Sequence, residues 1–97
     1  MSVIIELSIF PTDKGESVSD HVARAVRIIE DSGLPYQVNP MGTCIEGSWP
    51  DVLKVVDNCF TALQQDCHRI YATIKVDYRE NRSDGLKDKV GSVLSKK

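Results

Sequence analysis

Along residues 3–10 apolar side chains fall at every second position, with Ile5, Leu7 and Ile9 separated by Glu6 and Ser8. That period of two predicts a strand with two unlike faces. A polar loop with breakers at its ends follows over residues 11–17. From Val18 the period lengthens: Val22, Ala25, Val26 and Ile29 stand at i, i+3, i+4 and i+7, one face of a helix. Ser17 and Ser19 are its candidate N-caps, and Gly33, with Pro35 two positions on, is its stop. Residues 36–39 read as a short strand interrupted by Pro40, which suits a sheet edge or a bulge. Met41 and Gly42 turn the chain into a further strand over residues 43–48. Ser48 or Trp49 then caps a second helix, with Pro50 harmless in its first turn. Val52, Val55, Val56, Cys59, Phe60 and Leu63 give it the clearest amphipathic stripe in the chain and place Cys59 in the core. Residues 69–79 form the longest strand, with Ile70, Ala72, Ile74, Val76 and Tyr78 on one side. Tyr71, Thr73, Lys75, Asp77 and Arg79 lie on the other. After the turn-rich residues 81–85, a last helix carries Leu86, Val90, Val93 and Leu94.

The order strand-helix-strand-strand-helix-strand, with an added helix, has few solutions. Right-handed crossovers that bury both helical stripes on one sheet give a ferredoxin-like sandwich. This is an α+β fold with a four-stranded antiparallel sheet in the order 4-1-3-2. Both main helices share one face, and a single domain spans residues 1–97. On the other face the parity sets Ile4, Glu6, Ser8, Phe10, Cys44, Glu46, Tyr71, Thr73, Lys75 and Asp77. That face, with no helix expected over it, is too apolar to stand bare and too charged to be a dry core. An oligomer with sheets facing each other is expected, with Lys75 answering the carboxylates.

Composition narrows the classes. Twelve Lys and Arg against fourteen Asp and Glu leave a formal charge of −2 and a pI near 5.6. A dedicated nucleic-acid binder needs a basic excess to neutralise phosphates, so no nucleic acid is expected as a partner. Strand 43–48 also lacks the aromatic and basic residues of an RNA-reading sheet. No apolar run reaches the ~18–20 residues of a membrane span, and residues 1–6 have no basic n-region. A cytoplasmic protein without a membrane partner is expected. Cys44, Cys59 and Cys67 have no metal-ligand spacing, so reduced thiols and no metal site are expected. His21, expected to face solvent, and His68 sit in no nucleophile signature, and the six glycines form no phosphate loop. The loop after the first strand offers only Lys14 where an acylphosphatase would place an arginine. No catalytic residue is assigned.

The stretch Pro40-Met41-Gly42-Thr43-Cys44-Ile45-Glu46-Gly47 resembles the signature of small thiamin-binding, ferredoxin-like proteins of bacteria, archaea and yeast. Pro11, the helix start Ser17-Val18-Ser19, the strand at residues 71–79 and the tail at residues 87–93 match as well, in order along nearly the whole chain. One departure is Phe60, where the family often has a histidine, so no role of that imidazole is carried over. The resemblance implies a non-enzymatic binder of thiamin or its hydroxymethylpyrimidine half, assembled as a dimer of dimers. Thiamin or hydroxymethylpyrimidine then enters as ligand, and no cofactor is expected. An aminopyrimidine asks for a carboxylate, a hydroxyl and backbone groups, which Glu46 and Thr43 can begin to supply. Ser17, Ser19, Gly47 and Asp77, inside the matching segments, complete the candidate binding set. Two other classes stay open: a structural or regulatory oligomer without ligand, and an enzyme of pyrimidine salvage.

Overall fold

The computed structural model describes residues 2–97. Its elements are β1 (Val3–Pro11), α1 (Ser19–Asp31), β2 (Tyr36–Asn39), β3 (Gly42–Gly47), α2 (Trp49–Gln64), β4 (Ile70–Tyr78) and α3 (Gly85–Lys96). The sheet order is β2-β3-β1-β4, every neighbour antiparallel, which is the ferredoxin-like order expected from the hydrophobic pattern. β1 fixes the register: Ile5 lies opposite Ile45 on one side and Val76 on the other. Parity then sends Val3, Ile5, Leu7 and Ile9 to the helices, where they meet Ala25 and Ile29 of α1. Val52, Val55, Val56, Cys59 and Leu63 of α2 complete this core. The Cys59 thiol reaches the Ala25 carbonyl at 3.6 Å, and burial pushes its pKa up to about 11.

The helix ends follow local chemistry with one exception. The Ser48 hydroxyl accepts from the Asp51 amide at 3.2 Å, with Pro50 in the first turn of α2. Gly33 takes φ +78° just past α1, where a side chain would be strained. At the start of α1, however, neither expected serine caps the helix. Val18 holds the N-cap position without a side-chain bond, and the hydroxyls of Ser17 and Ser19 lie 3.5 Å from each other.

Two placements differ from the pattern reading. α2 packs over β1 and β3, so the outer part of β4 overhangs the helical layer. Ile74, Val76 and Tyr78 are on the expected side yet remain 43%, 50% and 55% exposed. The opposite sheet face is not free of helix either. The first turn of α3 folds over its Ile4–Glu46 corner and buries both residues. Gly85 permits this close approach: a Cβ would stand 2.8 Å from both the Ile4 Cδ1 and the Arg82 Nε, so those side chains would have to shift.

Candidate functional site

Two regions carry candidate residues, one at each end of β3. At the first end, α1 does not close completely on the sheet. Between Val22, Ala25, Val26 and Ile29 of α1 and Leu7 and Ile9 of β1 lies a cavity of about 300 Å³. The turn Asn39-Pro40-Met41-Gly42 and Thr43 wall its other side, and Val18 and Phe10 border it. Ala25, a small side chain on the buried stripe of the helix, is among the residues that line it. β2, only four residues long, stops too early to fill it. Of the polar lining residues Ser8, Asn39 and Thr43, Thr43 has its side chain on the helix side. Ser8 faces away by parity, the Asn39 amide donates to the Gln37 carbonyl and the Cys44 sulfur, and no lining residue is titratable. Thr43 is buried to 6% exposure, whereas Met41 is 83% exposed. Phe10 stacks obliquely on Tyr71, with ring centroids 5.8 Å apart.

At the second end, the Glu46 carboxylate is buried to 3% exposure and engaged by three donors. The Ser2 hydroxyl donates at 2.7 Å, the Gly85 amide at 2.7 Å and the Leu86 amide at 3.1 Å. Gly85 and Leu86 open α3, whose N-cap position, Asp84, gives no side-chain bond. A carboxylate from a distant strand therefore satisfies the unpaired amides of the helix start and faces the positive end of its dipole. Burial pushes the Glu46 carboxyl up, but the bonds from Ser2, Gly85 and Leu86, with Arg82 nearby, outweigh it and hold the pKa below the usual value. Asp77 completes the corner, accepting from Lys89 at 3.0 Å and Arg82 at 3.3 Å. Lys89 first, then Arg82, lower its pKa.

The candidate set is thus divided. Thr43 lines the cavity, and the exposed Ser17 and Ser19 flank Val18 at its border. Glu46 and Asp77 belong to the α3 corner. Thr43 and Glu46 are three residues apart on one strand, so they point to opposite faces of the sheet. Gly47 faces the core, where an added Cβ would lie 3.2 Å from Leu34 and 3.4 Å from Val52. Val22, Val26, Asn39 and Met41 were not among the candidates. The proline-interrupted turn after a short β2 was the available signal for a gap.

A third cluster joins α1 to the end of α2. Arg24 grips both oxygens of Asp66 at 2.8 and 3.0 Å and bonds the Ala62 carbonyl at 3.2 Å. His21 lies 3.9 Å from Asp66, partly buried rather than facing solvent, and the buried Cys67 thiol lies 3.7 Å from the same carboxylate. His21, Asp66 and Cys67 could reach a common ion, but the guanidinium already occupies the carboxylate they would share. Cys44, Cys59 and Cys67 are free thiols. Among the described residues no helix is long and apolar enough to cross a membrane.

The fold and cavity together define a ferredoxin-like sandwich that keeps an unfilled apolar pocket beneath its first helix. Within that class the chain belongs to the thiamine-binding protein family, whose profile matches residues 5–94. It is 40% identical over 94 residues to a UPF0045 protein of Mycobacterium tuberculosis, covering 96% of this chain and 92% of that one. It is 30% identical over 91 residues to a UPF0045 protein of Methanocaldococcus jannaschii, covering 94% and 91%. A crystal structure from M. jannaschii superposes with a TM-score of 0.89 at 29% identity, over 96% of each chain. Another, from Thermotoga maritima, is provisionally described as a thiamine biosynthesis/salvage protein. It gives a TM-score of 0.85 at 22% identity, over 96% of this chain and 99% of that one, and bears on the fold alone.

Proposed function

We propose that the pocket beneath α1 binds thiamin through its aminopyrimidine half, without chemical turnover, in a cytoplasmic homotetramer. The observation that carries this reading is the origin of the pocket walls. The segment Pro40–Thr43, most distinctive of the family resemblance, forms one wall, and the start of α1 forms another. The size suits a single flat ring, at the lower end of the ~300–1,000 Å³ typical of small-molecule sites. The Thr43 hydroxyl can answer a ring nitrogen or the exocyclic amine, while Val22, Val26 and Ile29 cover the ring face. The thiazolium then extends past the exposed Met41, out of the pocket. An uncharged lining, with no nucleophile–base pair among its residues, supports holding rather than conversion.

Calorimetry with thiamin, hydroxymethylpyrimidine and thiamin phosphates tests this reading. The fragment and the vitamin should both bind, with Thr43→Val weakening both alike. Absence of heat with all three ligands contradicts it.

A further inference from the structure

The cluster between α1 and the end of α2 holds three different kinds of metal-ligating group. His21 comes from the first turn of α1, whereas Asp66 and Cys67 come from the turn that follows α2. That turn is fixed, because the Asp66 and Cys67 amides both donate to the Leu63 carbonyl, at 3.3 and 2.9 Å. An imidazole nitrogen, a carboxylate oxygen and the thiol sulfur all lie within 4.8 Å of one another. Around a tetrahedral zinc ion such atoms stand about 3.3–3.6 Å apart, given bonds of about 2.0–2.3 Å. His21 Nε2 is 3.9 Å from Asp66 Oδ2, and Cys67 Sγ is 3.7 Å from Asp66 Oδ1, so small side-chain shifts reach that spacing. His21 supplies an independent sign. Its side chain is only 18% exposed, its Nδ1 is buried without a hydrogen-bond partner, and its Nε2 has only the long approach to Asp66. Buried polar atoms are ordinarily bonded. An imidazole left unbonded beside a carboxylate and a thiol points to a cation that all three would share.

We infer that His21, Asp66 and Cys67 form a site for a divalent ion of the zinc class, with water in the fourth position. The donor set decides the class. Mg2+ and Ca2+ take oxygen ligands, whereas a thiolate and an imidazole with one carboxylate suit Zn2+. Arg24 occupies that carboxylate, yet not all of it. It bonds the two oxygens at 2.8 and 3.0 Å, while an ionised carboxylate offers about four lone-pair sites. Of the oxygens, Oδ1 has Cys67 nearby and Oδ2 has His21. Arg24 can keep Oδ1 while Oδ2 turns to the ion, as ligating carboxylates are commonly oriented by a hydrogen bond from behind. The ion sends the Cys67 proton to solvent, and the thiolate and Asp66 then balance its two charges. The Arg24 side chain, 33% exposed, has its charge met by water. Asp13, held by the His68 amide at 2.8 Å, and Lys14 act on Cys67 with opposite signs. Asp66 is 48% exposed and gives the ion its approach. Spacing along the chain conceals the site, because His21 joins the other two from a different helix. The bound ion would tie the start of α1, which has no side-chain cap, to the end of α2. This inference goes beyond thiamin binding and does not rest on it.

Cobalt makes the test, because Co2+ occupies zinc sites and its bond to a thiolate absorbs in the near ultraviolet. The full chain carrying Cys44→Ser, reduced and free of oxygen and thiamin, is titrated with Co2+ and then with Zn2+. The expected result is a thiolate band that saturates at one equivalent of Co2+ and is bleached by Zn2+. Adding Cys67→Ser should abolish the band. His21→Gln should weaken Co2+ binding by more than about ten-fold, since even groups behind metal ligands are worth that much. Excess Zn2+ should raise the melting temperature of the parent and leave that of His21→Gln unchanged, a readout that does not depend on Cys67→Ser folding. A parent without a thiolate band overturns the site. So does an equal band in Cys67→Ser, or a Co2+ affinity unchanged by His21→Gln.

Discussion

The two ends of β3 show how one strand serves opposite purposes. Toward Thr43 the surroundings are apolar, uncharged and incompletely filled. Toward Glu46 they are charged, buried and satisfied by Ser2, Gly85 and Leu86. A cavity with spare polar capacity can accept a ligand, whereas a carboxylate with three donors has already spent its capacity on a helix. Glu46 therefore ties α3 to the sheet, and Thr43 is the residue to which the proposed function gives ligand recognition.

Filling the cavity should break the comparison most strongly. Ala25→Leu adds side-chain volume where the ligand ring would lie. Thiamin affinity should fall about a hundred-fold, near the upper end of the ~1–3 kcal/mol cost of overpacking. Calorimetry checks it, and circular dichroism checks that the fold persists.

Glu46→Ala should act in the reverse sense. Loss of the charge-assisted bonds at the start of α3 should cost about 1.5–3 kcal/mol of stability. Chemical denaturation measures this, and amide exchange should speed along α3. Thiamin affinity of the folded variant should change by less than about three-fold, under 1 kcal/mol.

Thr43→Val keeps the shape and removes the hydroxyl. Affinity should drop about ten-fold, the worth of one hydrogen bond, with little change in melting.

Acid should separate the regions more gently. Glu46, Asp77 and Asp66 all titrate below their usual values in the folded chain, so the unfolded chain binds protons first as pH falls. Their stabilisation is complete above the ordinary carboxylate range, about pH 4–5, and is lost as pH falls through the lowered folded values. Thiamin affinity, read by calorimetry between about pH 6 and 8, should stay flat, because the pocket lining holds no titratable side chain.

Much of this arrangement was legible in the sequence. Strict alternation in β1 gives both faces of the sheet, and the stripes of α1 and α2 give the layer that covers one of them. The pocket was not, because periodicity tells which side of α1 is apolar and not whether Val22, Ala25 and Val26 fill the space they face. The partner of Glu46 was hidden for a different reason: its donors lie about forty residues away in a helix whose docking no local pattern fixes. Ser17 and Ser19 show the limit of composition, since a good capping residue beside a helix start need not be the one that caps it. The overhang of β4 depends on how far α2 reaches across the sheet, a property of packing rather than of either element.

The most direct test of the pocket is a map of where thiamin touches the chain. Methyl and amide resonances of labelled protein would be followed during titration with thiamin and, separately, with hydroxymethylpyrimidine. The account predicts the largest shifts at Val22, Val26, Met41 and Thr43, with Gly85, Leu86 and Val90 scarcely moved. Shifts concentrated at Gly85, Leu86 and Glu46, with the pocket methyls unchanged, would contradict it.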